Sequence, residues 1–219
     1  MRILITGSSK GIGLATTKRF LEQGFEVFGL DLLPSSIKDK NYHHYMVDIS
    51  KDALPELPNM DYIFNNAGLQ NCEDDITNNL KGCIRVTEKY AFQDNIKSVL
   101  FNASASAHTG DEFPEYVASK AGMIGYMKNV AIRLTEYNAT ANSISLGGVL
   151  TESNSPVIEN EELWNQIMEV TPLKKWATEN EVVEWVYFLL IVNKSASGID
   201  ILIDNGEANL SSTFVWPNK

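Results

Sequence analysis

Thr6-Gly7-Ser8-Ser9-Lys10-Gly11-Ile12-Gly13 is the stretch that decides how this 219-residue chain reads. An apolar run, residues 2–5, precedes it and an amphipathic pattern, residues 12–23, follows it. That is the setting of a glycine-rich turn between a buried strand and a helix. Glycines there permit a tight turn and close approach of backbone to a pyrophosphate, while N–H groups at the helix N-terminus meet its charge. Gly7, Ser9, Lys10, Gly11, Ile12 and Gly13 are therefore candidate dinucleotide contacts. The spacing is Gly-x-x-x-Gly-x-Gly rather than the commoner Gly-x-Gly-x-x-Gly, and a βα turn without a ligand would look alike.

Outward from this turn, runs rich in β-branched and aromatic residues recur at 25–30, 44–47, 62–64, 98–101, 142–146 and 199–203. Each reads as a buried strand. Helical patterns at 12–23, 76–92 and 116–137 lie between them. The alternation predicts an α/β fold of three layers, a doubly wound, mostly parallel Rossmann-like sheet with helices on both faces. Thr178-Glu179-Asn180-Glu181 has the form of a capping box, so a helix should begin there. No linker divides residues 1–219, which read as one domain. Residues 151–171, irregular and then amphipathic, follow a strand's carboxyl end and are expected to form a lid over the ligand crevice; a surface helical excursion is the plainer alternative.

The composition narrows the partners. Eighteen basic against 28 acidic residues give a net charge of −10, which argues against nucleic acid or an anionic membrane surface. Any anionic ligand must be held locally by backbone dipoles. Cys72 and Cys83 make no disulfide framework, the chain opens without a signal-peptide pattern, and the apolar run 185–192 is too short to span a bilayer. The expected location is the cytoplasm. His43, His44 and His108 have no carboxylate or cysteine at ligand spacing, so no metal site is expected.

Asp31 ends the second predicted strand, eighteen residues past Gly13, near the place of an acid that accepts hydrogen bonds from an adenosine ribose. A carboxylate there repels a 2′-phosphate and favours NAD(H), whereas Lys10 could attract that phosphate and admit NADP(H). Asp48, with Ile49 beside it, follows the third strand and could accept from the adenine amino group or cap the next turn. Tyr116 and Lys120, four apart on one helix face behind Pro114, form a second constellation. A lysine cation nearby stabilises a phenolate, so the pair can serve as acid and base.

Together these elements resemble the short-chain dehydrogenase/reductase family. Residues 6–13 are similar to its Thr-Gly-x-x-x-Gly-x-Gly element, Asn65-Asn66-Ala67-Gly68 to its Asn-Asn-Ala-Gly, Tyr116 to Lys120 to its Tyr-x-x-x-Lys, and residues 198–206 to its terminal strand. The resemblance implies a seven-stranded sheet with a nicotinamide dinucleotide across the strands' carboxyl ends, and a small carbonyl or alcohol substrate. It implies Tyr116 as general acid/base, Lys120 on the nicotinamide ribose, Ser104 as donor to the substrate oxygen, and Asn79 as holder of a water in the proton relay. Asn66, Ala67 and Gly68 would shape the cofactor floor, with Gly147 and Thr151 at the nicotinamide. Ser104 lies twelve residues before Tyr116, one fewer than is usual, which leaves Ser106 a competing candidate. Leu146 stands where the family usually has proline. Packing of the catalytic helix against another subunit, a homodimer or homotetramer, is also implied.

Overall fold

The computed structural model describes residues 1–210. In chain order the elements are β1 (Arg2–Thr6), α1 (Gly11–Glu22), β2 (Glu26–Asp31), β3 (Tyr42–Met46) and β4 (Tyr62–Asn65). A π-helical stretch, Ile76–Lys81, runs into α2 (Gly82–Tyr90), followed by β5 (Ser98–Asn102), α3 (Ser106–Thr109), α4 (Pro114–Arg133) and β6 (Thr140–Leu146). The remainder is β7 (Val149–Leu150), α5 (Ser155–Ile158), α6 (Glu161–Val170), β8 (Ala177–Thr178), α7 (Glu179–Tyr187) and β9 (Asp200–Ile203). Seven strands form one sheet in the order β3-β2-β1-β4-β5-β6-β9, and every pair in it is parallel.

The central strands are apolar at consecutive positions because both faces are covered. Leu4, Ile63, Val99 and Phe101 point to one side, where they pack with Val86 of α2 and Met123 and Met127 of α4. Ile3, Ile5, Phe64 and Leu100 point to the other, against Phe20 of α1 and Val182 and Val186 of α7. Helix α7 starts with the capping box the sequence predicts: the Thr178 side chain accepts from the Glu181 N–H while Glu181 accepts from Thr178 N. The outermost strands depart from the expectation of buried strands. Every residue of β3 and β9 is at least partly exposed, Met46 by 66%, because each borders one strand only and its outer flank meets solvent.

The predicted lid contains α5 and α6, neither of which has a buried residue. Its base is fixed at both ends, since β7 before it and β8 after it pair with each other, and Trp164 meets Trp176 edge to face at 5.3 Å. Among the described residues no helix is long and apolar enough to cross a membrane.

Candidate active site

The strand order reverses beside β1, whose neighbours are β2 and β4, and in open α/β sheets the crevice outside the carboxyl ends at such a point receives ligands. Two loops face one another there. Thr6 Oγ1 accepts from Asn66 N at 3.0 Å and Ala67 N at 2.9 Å, and Asn66 Nδ2 donates to Thr6 O at 3.0 Å. Gly7 has φ +67°, and a Cβ on it would stand 3.0 Å from Ala67 Cα. No side chain fits between the loops.

A cleft of about 400 Å³ opens along this seam. Its walls include Gly7, Lys10, Gly11 and Ile12 from the first loop, Asp31, Asp48 and Ile49 at one end, and Asn66, Ala67, Gly68, Asn79 and Thr151 toward the other. Tyr116 and Lys120 do not line it, and neither do Ser9, Gly13 and Gly147, three further residues predicted as cofactor contacts. Ser9 has both groups engaged, N–H to Asp31 Oδ2 at 2.8 Å and hydroxyl to Leu33 O at 3.1 Å. Gly13 allows α1 to close on the loop that follows β1, because a Cβ on it would fall 1.8 Å from Gly7 O. Gly147 packs on Asp204, 2.8 Å from where its Cβ would be. Asp48 takes the capping option: it accepts from Ser50 N at 2.9 Å and Ser50 Oγ at 2.6 Å and pairs with Lys51 at 2.9 Å. Its partial burial alone would raise its pKa, but these bonds outweigh that and hold it below the usual carboxylate range.

These residues fit a dinucleotide. Helix α1 has no side-chain cap, so its first N–H groups remain for a phosphate. The Asp31 carboxylate, steadied by Ser9 N and by Leu33 N at 2.8 Å, faces the same cleft as a ribose acceptor would. Leu30, Leu32, Leu33 and Val47 add an apolar wall beside it.

At the Gly68 end, β5 and α4 bring Ser104, Tyr116 and Lys120 together. Lys120 is 3% exposed; its Nζ donates to Asn102 O at 2.7 Å and stands 5.5 Å from the centre of the Tyr116 ring. A Cβ on Gly68 would lie 3.2 Å from that Nζ, which puts the ammonium directly behind the cleft floor. Burial pushes the Tyr116 phenol up to about 12, while a hydrogen-bonding interaction with Ser104 pulls the other way. Burial also pushes Lys120 down to about 8. The spacing of Tyr116 and Lys120 predicts that the lysine cation lowers the phenol. In the free protein burial prevails, and the phenol is the proton-bearing form at neutral pH.

The buried lysine has a measurable consequence. It releases its proton near pH 8 when folded and near its ordinary 10.5 when unfolded, so between those values the unfolded state binds more protons and stability climbs with pH. Below pH 8 the charge costs the fold about 3 kcal/mol, and the cost vanishes above 10.5. Lys120→Met keeps the length and removes the charge. The unfolding free energy of wild type relative to Lys120→Met, from urea titrations, should rise by about 2–3 kcal/mol between pH 7 and 10.5; a constant difference would refute desolvation of the ammonium.

Asn79 is fully buried in the π-helical stretch, a local widening often found at functional sites. Its side chain accepts from Leu69 N at 2.7 Å, donates to Leu69 O at 2.8 Å and reaches Ser119 Oγ at 3.2 Å. It therefore latches the loop after β4 to α4. Ser104 and Ser106 are adjacent, their hydroxyl oxygens 2.9 Å apart.

Two participants escaped the sequence reading. Asn102 supplies the carbonyl that holds Lys120 and donates from Nδ2 to Asn66 Oδ1 at 3.0 Å; a polar residue closing a buried strand at the crevice was the available signal. Glu112, in the loop before α4, has φ +87°, a region that non-glycine residues seldom occupy and that clusters at functional sites. It accepts from Gln70 Nε2 at 2.6 Å. Nothing in the local sequence announces that bridge between two loops.

Known proteins resemble the chain as a whole. The model of the short chain dehydrogenase family matches residues 1–162. The 3-oxoacyl-[acyl-carrier-protein] reductase FabG of Staphylococcus epidermidis is 25% identical over 220 residues, covering 85% of this chain and 89% of that protein. The short-chain dehydrogenase/reductase cdmF of Talaromyces verruculosus is 30% identical over 184 residues, 71% and 72% of the two chains. Among solved structures, 4-hydroxyisoleucine dehydrogenase complexed with NADH superposes with a TM-score of 0.85 at 25% identity, covering 96% of this chain and 99% of that one. A putative 2-deoxy-d-gluconate 3-dehydrogenase from Agrobacterium tumefaciens with bound NADP shares the fold, with a TM-score of 0.82 at 21% identity over 94% and 95% of the chains. The matched span, residues 1–162, contains the glycine-rich loop after β1, the Asn-Asn-Ala-Gly loop after β4 and the Tyr-x-x-x-Lys of α4, and the chain is a member of the short-chain dehydrogenase family of NAD(P)-dependent oxidoreductases.

Proposed function

We propose that the protein interconverts a ketone and a secondary alcohol on a small molecule, with Tyr116 as general acid/base and NAD(H) as the preferred cofactor. The observation that carries this reading is the convergence of Ser104, Tyr116 and Lys120 at the Gly68 end of the dinucleotide cleft. A bound nicotinamide supplies the hydride acceptor or donor. Tyr116, protonated at neutral pH, gives its proton to the carbonyl oxygen in the reductive direction and takes it back in the oxidative one. Ser104 donates to the same oxygen and stabilises the developing negative charge. Lys120, held by Asn102 O, carries the positive charge that favours the phenolate when the proton has left. Lys120 and Thr151 hold the nicotinamide end, and Asp31 accepts from the adenosine ribose.

The reading is tested with two probes suggested by the relatives' own substrates: acetoacetyl-CoA reduced with NADH or NADPH, and 4-hydroxyisoleucine oxidised with NAD⁺ or NADP⁺. Cofactor binding is followed separately by NADH and NADPH fluorescence. Wild type should bind NADH more tightly than NADPH. Asp31→Ala removes the charge that repels a 2′-phosphate, and it should reduce that preference by about tenfold, as expected for one screened charge pair a few ångströms apart. Tighter NADPH than NADH binding in wild type would show that Lys10 outweighs Asp31.

The self-association implied by the family belongs to the same proposal. Trp185 and Phe188 expose 41% and 45% of their surface, and Val192 beyond them 56%, an apolar face suited to a second copy in a homodimer or homotetramer.

A further inference from the structure

Ser104 and Ser106 are 5% and 2% exposed, so the hydrogen bonds they make within the protein largely decide where their protons lie. A hydroxyl offers one proton and two lone pairs. Ser104 Oγ accepts from Ser106 N at 3.2 Å and from Ser106 Oγ at 2.9 Å. With both lone pairs occupied, its one remaining capacity is its own O–H. The opposite assignment, with Ser104 donating to Ser106, would spend that proton inside the protein. The geometry is held from both sides. Ala103 N and Ala105 N bond to Ile144 O and Leu146 O of β6, each at 2.8 Å, which fixes the backbone around Ser104. Helix α3, which carries Ser106, is anchored through His108 Nε2, 2.8 Å from Asp200 Oδ2 and 3.2 Å from Ser145 Oγ. These contacts fix the backbone that carries both serines.

We infer that Ser106 is a positioning residue: by donating both its N–H and its O–H to Ser104, it makes the Ser104 hydroxyl a dedicated donor aimed at the substrate oxygen and Tyr116. This deepens the proposed reaction and rests on it for the identity of the acceptor, but the proton arrangement itself does not. Chained hydroxyls also polarise one another, so the Ser104 proton is more acidic for having Ser106 behind it.

Neutron diffraction from deuterium-exchanged crystals of the full chain tests the arrangement without a substrate. The deuterium between the two oxygens should be bonded to Ser106 Oγ, with that of Ser104 directed toward Tyr116. A deuterium on Ser104 pointing at Ser106 overturns the inference, whatever the catalytic activity. Kinetics with the acetoacetyl-CoA and 4-hydroxyisoleucine probes then test its consequence. Ser106→Ala should lower kcat by about tenfold, the size of one hydrogen bond's contribution at the transition state, with NADH affinity and thermal midpoint unchanged. Ser106→Thr should restore kcat, and Ser106→Ala should add nothing in a Ser104→Ala background. Wild-type kcat in Ser106→Ala, or an equal loss in both backgrounds, defeats the positioning role. Undiminished turnover in Tyr116→Phe would instead defeat the proposed reaction and leave the neutron result standing.

Discussion

Tyr116→Phe should lower turnover by about 10³-fold while changing the NADH dissociation constant by less than about twofold, the split expected when a proton donor is deleted from an otherwise intact site. The phenylalanine ring fills the same space and keeps its face toward Lys120 Nζ, now 5.5 Å from the ring centre. Lys120 keeps its bond to Asn102 O, and the cleft wall, which does not include Tyr116, is unaltered. What disappears is one hydroxyl whose proton is held by burial up to about pH 12. Steady-state kinetics on either probe, beside a fluorescence titration with NADH, separates the two effects. Loss of NADH binding together with turnover would mean that Tyr116 supports the cofactor rather than the proton.

Gly13→Ala should be the most damaging single-methyl change in the cofactor half. Its Cβ would fall 1.8 Å from Gly7 O and 2.7 Å from Asn66 Nδ2, and the first of these is backbone that cannot swing aside. Helix α1 must retreat from the loop that follows β1, and this separates the phosphate-binding N–H groups from the seam with Asn66. An overpacking penalty of about 2–4 kcal/mol follows, with NADH affinity weakened by about 100-fold or more as the cradle opens. Thermal denaturation and cofactor titration report the two losses separately. A variant of unchanged stability and affinity would contradict the close helix–loop packing described here.

The sheet was legible because its central strands are apolar on both faces. Ile3, Leu4 and Ile5 read as a buried run before any helix is placed, and they feed alternate cores. The edge strands were harder. Tyr42, His43 and His44 carry polar tips, and β3 borders solvent on its outer flank, so its start was placed two residues late. Glycines and the Tyr/Lys spacing revealed the cleft, because local backbone demands and helix periodicity leave marks in sequence. Contacts between distant loops leave none. The latch from Asn79 to Leu69, the Gln70–Glu112 bridge and the withdrawal of Ser9 behind Asp31 depend on where separate chain segments meet. Spacing to Tyr116 leaves Ser104 and Ser106 both open, and alignment of the strand β5 selects Ser104. The lid follows the same rule. Residues 151–171 carry α5 and α6, which have no buried residue, and their exposed surfaces disclose no substrate.

Deuterium transfer tests the central claim most directly. The protein is incubated with NADH carrying two deuteriums at C4 of the nicotinamide and a panel of ketone acceptors comprising acetoacetyl-CoA, aliphatic ketones, ketoses and the 4-keto form of hydroxyisoleucine, and products are read by mass spectrometry. At least one alcohol bearing a single deuterium at the carbinol carbon is expected from wild type, and about 10³-fold less of it from Tyr116→Phe. NADH that binds in the cleft yet passes deuterium to none of these acceptors would contradict it, and would mark the protein as a dinucleotide-binding member of the fold without turnover.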